Sequence, residues 1–141
     1  MKLVDANVLL YAVNADAERH EDTRRWLDGA LSGRDTVAFA WIAMLAFVRL
    51  STKVGLFPSP LTLDEAMDTV DAWLGAAPSV VVEPTTQHAR VVRGLLRNIG
   101  VGGNLVNDAH LAALAIEHRC TIVSYDHDFD RFEGVHRIAP V

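Results

Sequence analysis

The chain has 141 residues, of which 50% are apolar, and this size and composition are typical of one domain with its own hydrophobic core. Its formal net charge of -5 argues against a surface that is basic overall, although acidic metal sites lower the charge without describing a binding face. Cys120 is the only cysteine, so no disulfide forms within the chain, and the apolar run at residues 37–48 is shorter than the roughly 18 residues that a membrane helix needs. We expect one cytoplasmic domain over residues 1–141, without a membrane segment.

The first part of the chain alternates short apolar runs with helical patterns. Residues 2–4 predict a buried strand, followed by predicted helices at residues 7–13 and 17–31. Residues 37–40 predict a second strand, and the apolar pattern then continues at helical spacing over residues 41–50. A strand that leads directly into a helix explains the length of this apolar run.

The second part begins with a helix-start signal. Thr62 and Glu65 form a capping box, in which each side chain binds the other residue's free backbone N–H, so a helix is predicted from there to about Gly75. The elements predicted after it are a strand at residues 80–82, a helix at residues 86–99 closed by Gly100, a helix from the cap Asn104 to about His118, and a strand at residues 121–124.

Strands that alternate with helices predict an α/β fold, in which crossover helices cover a parallel sheet on both faces. All strands of such a sheet end at one edge, where open α/β folds bind their ligands. Asp5 follows the first predicted strand and Asp126 follows the last. Asp108 can join them from the first turns of its helix.

Three carboxylates gathered at one edge repel each other, so their grouping indicates a bound cation. A site with only oxygen ligands favours Mg²⁺ or Mn²⁺, whereas Zn²⁺ would call for the histidine or cysteine ligands that this group lacks. The chemistry that follows is metal-assisted hydrolysis of a phosphodiester. Asp5, Asp108 and Asp126 are therefore the predicted metal ligands and catalytic residues.

Three segments also resemble a known family. Residues 5–10, 103–115 and 124–129 are similar to the acidic motifs of PIN-domain nucleases, in particular the VapC toxins of bacterial toxin–antitoxin pairs. The resemblance implies a three-layer α/β/α domain with a short parallel sheet. It further implies an Mg²⁺- or Mn²⁺-dependent endoribonuclease, an RNA substrate, a small antitoxin that blocks the active site, and a homodimer.

The sequence departs from this family at one position. PIN domains usually carry a glutamate on the helix after the second strand, and Ala46 stands in that place. Because residues 40–49 contain no acid, we expect weaker metal binding. Asp128, two residues after Asp126, is the candidate to support the site, and a solvent-exposed turn acid is an equally good interpretation.

Asn7, Ser124, Arg49 and the histidines are further polar residues with a candidate role. Asn7 is predicted to hold Asp5 or a metal-bound water, or to cap the first helix, and Ser124 to orient Asp126. Arg49 is a candidate to bind substrate phosphate, because it flanks the apolar run that leaves the active edge. The histidines at 20, 88, 110 and 118 show no metal-like pairing in the sequence and are interpreted as core or surface residues.

Two other functions remain open from the sequence. With Ala46 in place of an acid, the chain could be a catalytically weak RNA-binding or regulatory module, which would take up no Mn²⁺. An aspartate-based phosphoryl-transfer domain fits less well. Asp5 lacks a second aspartate two residues on, and no suitably placed lysine follows near the sheet edge.

Overall fold

The structure, a computed structural model, describes residues 1–100 and 102–140. Its strands are β1 Lys2–Val4, β2 Val37–Phe39, β3 Ser79–Val81, β4 Thr121–Val123 and β5 Arg137–Ile138. Its helices are α1 Ala6–Val13, α2 His20–Leu31, α3 Trp41–Ser51, α4 Leu63–Gly75, α5 His88–Ile99 and α6 Val106–His118. Short 3₁₀ turns cover Gly103–Leu105 and His127–Arg131.

The strands form one parallel sheet in the order β3-β2-β1-β4-β5. Leu3 of β1 pairs with Ala38 of β2 on one side and with Ile122 of β4 on the other. The predicted parallel sheet is therefore confirmed, with one strand more than expected. β5 is only two residues long, which is too short to give an apolar pattern in the sequence.

Helices cover both faces of the sheet, so the predicted three-layer α/β/α arrangement is confirmed. On one face Leu3 and Ile122 pack in a core that α5 and α6 complete. On the other face Val4, Phe39 and Val123 pack against α1, α3 and α4. Neighbouring residues of one strand thus belong to different cores, because side chains along a strand alternate between its faces.

The helix ends follow the predicted signals in some places and not in others. The capping box of Thr62 and Glu65 is present, and Gly100 closes α5 in the left-handed conformation. The predicted cap at Asn104 is wrong. Residues 103–105 form a tight turn that begins at Gly103 with a φ of 61°, and α6 starts after it at Val106 without a side-chain cap.

The sheet order makes β1 and β4 neighbours, and their carboxyl ends carry the predicted acids and their supporting side chains. α3 enters the same edge directly from β2. Over residues 1–100 and 102–140, the protein has no helix with both the length and the apolar character needed to cross a membrane.

Candidate active site

Asp5 lies where β1 passes into α1, and it is fixed from both sides. Its backbone N–H donates to the carbonyl of Val123 in β4 at 3.0 Å, which continues the strand pairing by one residue. Its Oδ1 accepts from the N–H of Ala6 at 2.8 Å and so caps α1. The hydroxyl of Ser124 donates to its Oδ2 at 2.7 Å. The helix cap considered for Asn7 is therefore supplied by Asp5.

Ser124 and Asn7 connect the segments that follow β1 and β4. Asn7 Nδ2 lies 3.3 Å from Asp5 Oδ2 and 3.1 Å from Ser124 Oγ, and it donates to both. The N–H of Tyr125 donates to Asn7 Oδ1 at 3.3 Å, and the N–H of Asp126 donates to Ser124 Oγ at 3.0 Å. Ser124 is fully buried, so this network sets the positions of two acids without competition from water.

The other acids meet beside Asp5. Asp108 lies in the first turn of α6, and Asp126 and Asp128 lie in the segment after β4. Carboxylate oxygens of these three residues all lie within 4.8 Å of one another. The N–H of Asp128 donates to Asp126 Oδ1 at 2.8 Å, which draws the two residues together. Asp128 is thus among the candidate metal ligands. Asp5 lies next to the group, close enough for its charge to act on Asp108.

Burial and mutual repulsion change the protonation of these acids. Burial, together with the nearby charges of Asp126, Asp5 and Asp128, raises the pKa of Asp108 to about 6. Burial also raises the pKa of Asp5, against the opposing effect of the hydrogen bonds from Ser124 and Ala6. The site therefore favours a positive charge among its carboxylates.

A cleft of about 140 Å³ opens next to the acids. Its lining residues are Asp5, Ala6, Ile42, Ala43, Ala46, Asn107, Asp108 and Leu111. Ala46 faces the same space as Asp5 and Asp108, so a longer acidic side chain at this position would reach into the site. Arg49 is exposed in the last turn of α3, three residues after Ala46 and four after Leu45, so it lies between the cleft side of the helix and its exposed apolar side.

The donor set fits a hard divalent cation. Asp108, Asp126 and Asp128 offer oxygen atoms at mutual distances that one ion can bridge, and the aspartate at position 5 adds a fourth carboxylate beside them. Mg²⁺ and Mn²⁺ prefer carboxylate and water ligands, whereas Zn²⁺ prefers nitrogen or sulfur. Over residues 1–100 and 102–140, this group includes no histidine or cysteine.

One polar cluster that the sequence did not predict lies between α5 and α6. His88 Nε2 is 2.9 Å from His110 Nδ1, and His88 Nδ1 contacts Glu117, which also binds Thr85. Burial and the neighbouring His88 lower the pKa of His110. No sequence pattern indicates this contact, because only the packing of α5 on α6 brings residues 88 and 110 together.

Comparisons of sequence agree with the geometry. Residues 2–135 match the family model described as PIN domain. The chain is 63% identical over 135 residues to ribonuclease VapC37 of Mycobacterium tuberculosis, which covers 96% of this chain and 94% of that protein. It is 36% identical over 140 residues to ribonuclease VapC31 of the same organism, which covers 99% of each.

Solved structures show the same fold. VapBC2 from Rickettsia felis, solved with a DNA fragment from its promoter, matches with a TM-score of 0.70 at 18% identity, over 98% of this chain and 97% of that one. VapC20 of Mycobacterium tuberculosis, described as a sarcin–ricin loop cleaving toxin, matches with a TM-score of 0.68 at 16% identity, over 92% and 93%. These likenesses confirm the PIN-like architecture.

Replacing Asp108 with asparagine is expected to stabilise the metal-free protein near neutral pH. The pKa of Asp108 is raised from 3.8 to about 6, so the folded protein holds this proton more tightly than the unfolded chain, and stability is lost as the pH rises through that window. Asparagine at position 108 carries no charge, so the variant does not lose this stability. Thermal unfolding in EDTA should give D108N a higher midpoint than wild type at about pH 7, and a smaller difference at about pH 5.

Asp130 supplies the matched control. It forms an ion pair with Arg137, which lowers the pKa of Asp130. The asparagine variant D130N should therefore lose stability near neutral pH. A D108N midpoint at or below that of wild type would contradict a repulsive acidic site.

Proposed function

Because this chain belongs to the PIN domain family, we propose that it is a metal-dependent endoribonuclease that acts as the toxin of a toxin–antitoxin pair. The observation that carries the proposal is the group of carboxylates within 4.8 Å of one another at the carboxyl edge of the sheet. Its relatives at 63% and 36% identity are named ribonucleases, and they match nearly the whole chain. The substrate is accordingly RNA.

Asp5, Asp108 and Asp126 are the proposed metal ligands and catalytic residues, with Asp128 in support. Mg²⁺ or Mn²⁺ bound there would stabilise charge on the scissile phosphate and lower the pKa of an attacking water. The raised pKa of Asp108 means that this carboxyl gives up its proton when a cation binds. Ser124 and Asn7 hold the Asp5 carboxylate in a fixed direction toward the cleft.

Arg49 is the proposed contact to the RNA backbone. α3 borders the cleft through Ile42, Ala43 and Ala46, and it carries no acid. The exposed Arg49 follows Ala46 by three residues at the rim of this wall, so its guanidinium can neutralise a phosphate next to the scissile one. The overall charge of -5 therefore does not describe the face that meets RNA.

Partner binding is proposed to use the outer face of α3. Trp41 is 40% exposed and Leu45 is 57% exposed, so two large apolar side chains stand in water at the edge that carries the acids. A small antitoxin that covers these side chains would also close the cleft, and a second copy of the chain would complete a homodimer.

A second function, a metal-poor RNA-binding module, is favoured by one observation. Ala46 lines the cleft where an acid of the family would stand, so the site has one carboxylate fewer than PIN domains usually have. Such a module would bind RNA without specific Mn²⁺ uptake and without cleavage. Calorimetry with Mn²⁺ separates the two functions.

Replacing Asp126 with asparagine is expected to abolish RNA cleavage while the fold is kept. The Asp126 carboxylate belongs to the group that it forms with Asp108 and Asp128, and it lies near the charge of Asp5 as well. Its loss therefore removes a ligand from the centre of the site. Cleavage of a labelled RNA in Mn²⁺ and calorimetric Mn²⁺ binding should both fall to background. Asp68→Asn, at an exposed position of α4, should leave both unchanged. Full cleavage by D126N would exclude the assignment.

Restoring an acid at position 46 is expected to tighten metal binding. Ala46 faces the cleft beside Asp5 and Asp108, so Ala46→Glu adds a carboxylate to the ligand set. Calorimetry should show a several-fold lower dissociation constant for Mn²⁺. Ala46→Gln has nearly the same shape without the charge and should not show this gain. Equal effects of the two variants would mean that a carboxylate at position 46 does not reach the ion.

Replacing Arg49 with glutamine is expected to weaken RNA binding without changing the chemical step. KM should rise several-fold at unchanged kcat, since a phosphate contact away from the reacting atoms binds the ground and transition states alike. The dependence of RNA affinity on salt should also become shallower, by about one unit of slope. Arg34 lies just before β2, at the opposite edge of the sheet, and Arg34→Gln is the control. A fall in kcat alone would contradict this role.

A further inference from the structure

Arg137 connects the strand β5 to the segment that carries Asp126 and Asp128. Its Nε and Nη2 donate to the two carboxylate oxygens of Asp130 at 3.0 and 3.1 Å, and its Nη1 donates to the carbonyl of Ser124 at 3.0 Å. Nη2 also lies 3.0 Å from Nδ1 of His127. The Arg137 side chain is only 11% exposed, so its planar guanidinium is held in one orientation.

These contacts hold the acidic segment at two points. Ser124 stands before Asp126, and Asp130 stands after Asp128, so the two candidate ligands lie between the residues that Arg137 binds. Between the two points, the N–H of Asp128 donates to Asp126 Oδ1 and the N–H of Asp126 donates to Ser124 Oγ, so the two acids are connected to each other and to Ser124. The geometry of both carboxylates therefore depends on where Arg137 fixes the ends.

Arg137 also makes the acids of this segment different from one another, because it pairs with only one of them. Asp126, Asp128 and Asp130 alternate along it, and any of them could turn toward a cation. Arg137 binds both carboxylate oxygens of Asp130. Oxygens of Asp126 and Asp128 instead lie within 4.8 Å of each other and of an oxygen of Asp108. A paired carboxylate is a poor metal ligand, because binding the ion would mean breaking two charge-assisted hydrogen bonds.

We propose that Arg137 is a positioning residue of the metal site: by binding Asp130 and the Ser124 carbonyl, it keeps Asp126 and Asp128 directed at Asp108. This inference rests on the proposed function, because it concerns the site at which the metal would bind. Arg137 acts through these residues and does not itself contact the site. The contacts of Arg137 connect β5, the last strand of the sheet, to the acids that follow β1 and β4.

The first test needs no metal. In Arg137→Gln, hydrogen exchange of the Asp128 amide should become faster, because the segment that holds its acceptor loses the contacts of the guanidinium with Asp130 and with the Ser124 carbonyl. Amides in β1 and β4 should exchange as in wild type. Equal exchange at Asp128 in the two proteins would overturn the proposal. Asp130→Asn removes one anchor at an exposed position and should give a smaller increase, so the test stands even if Arg137→Gln folds poorly.

The second test measures Mn²⁺ affinity by calorimetry at a temperature where all variants are folded. Arg137→Gln should bind about 10- to 100-fold more weakly than wild type, the usual effect of removing a residue that orients ligands. Arg137→Lys keeps the positive charge but loses the planar guanidinium that binds both oxygens of Asp130, so its Mn²⁺ affinity should be intermediate. Arg131→Gln is the control, since Arg131 is exposed on the same turn. Wild-type affinity in Arg137→Gln would overturn the proposal.

The two tests distinguish this inference from the proposed function. If wild type and Asp126→Asn take up Mn²⁺ equally poorly, the metal-dependent function fails, and the exchange measurement still decides whether Arg137 holds the segment. If wild type binds Mn²⁺ and Asp126→Asn does not, the metal site stands. The comparison of Arg137→Gln with Arg137→Lys then decides the role of the guanidinium alone.

Discussion

Repulsion among carboxylates at one edge of the sheet is the constraint that the surrounding structure has to balance. Burial and neighbouring charge raise the pKa of Asp108 to about 6, and burial raises that of Asp5 although Ser124 donates to it. Without a cation, the protein holds these acids together at a cost in stability, which well-packed cores on both faces of the sheet must offset. A divalent ion bound there would reverse the sign of this effect, so the proposed metal binding would be linked to folding stability.

The edge itself is rigid because β1 and β4 are adjacent and parallel. The hydrogen bond between Ser124 and Asp5 joins residues 119 positions apart, and the bonds of Asn7 reinforce it. Such a junction can form only after the crossover connections have brought β4 beside β1. Arg137 supports the same region from β5. The acids thus lie at strand ends, at a helix start and in the segment that Arg137 binds. Most of their side-chain orientations are therefore fixed before any ligand binds.

α3 gives the site its individual character within the family. Its inner side contributes Ile42, Ala43 and Ala46 to the cleft, so this wall is apolar where PIN domains usually place an acid. Its outer side exposes Trp41 and Leu45. One helix therefore lines the proposed metal site and offers the apolar surface proposed for a partner. The two roles are compatible because the cleft residues and the exposed apolar residues lie on adjacent faces of the helix and meet different surroundings.

The sequence by itself determined the alternation of strands and helices, the capping box of Thr62, and the placement of Asp5 and Asp126 after strands, because these depend on local pattern and backbone hydrogen bonding. Local pattern could not determine the two-residue β5, the false cap at Asn104, or the contact between His88 and His110. Those depend on neighbours distant in the chain. Only the tertiary structure decided that Asp128 joins Asp108 and Asp126 while Asp130 turns away to Arg137. Acids at alternate positions look equivalent in a sequence, and a partner from another strand is what makes them different.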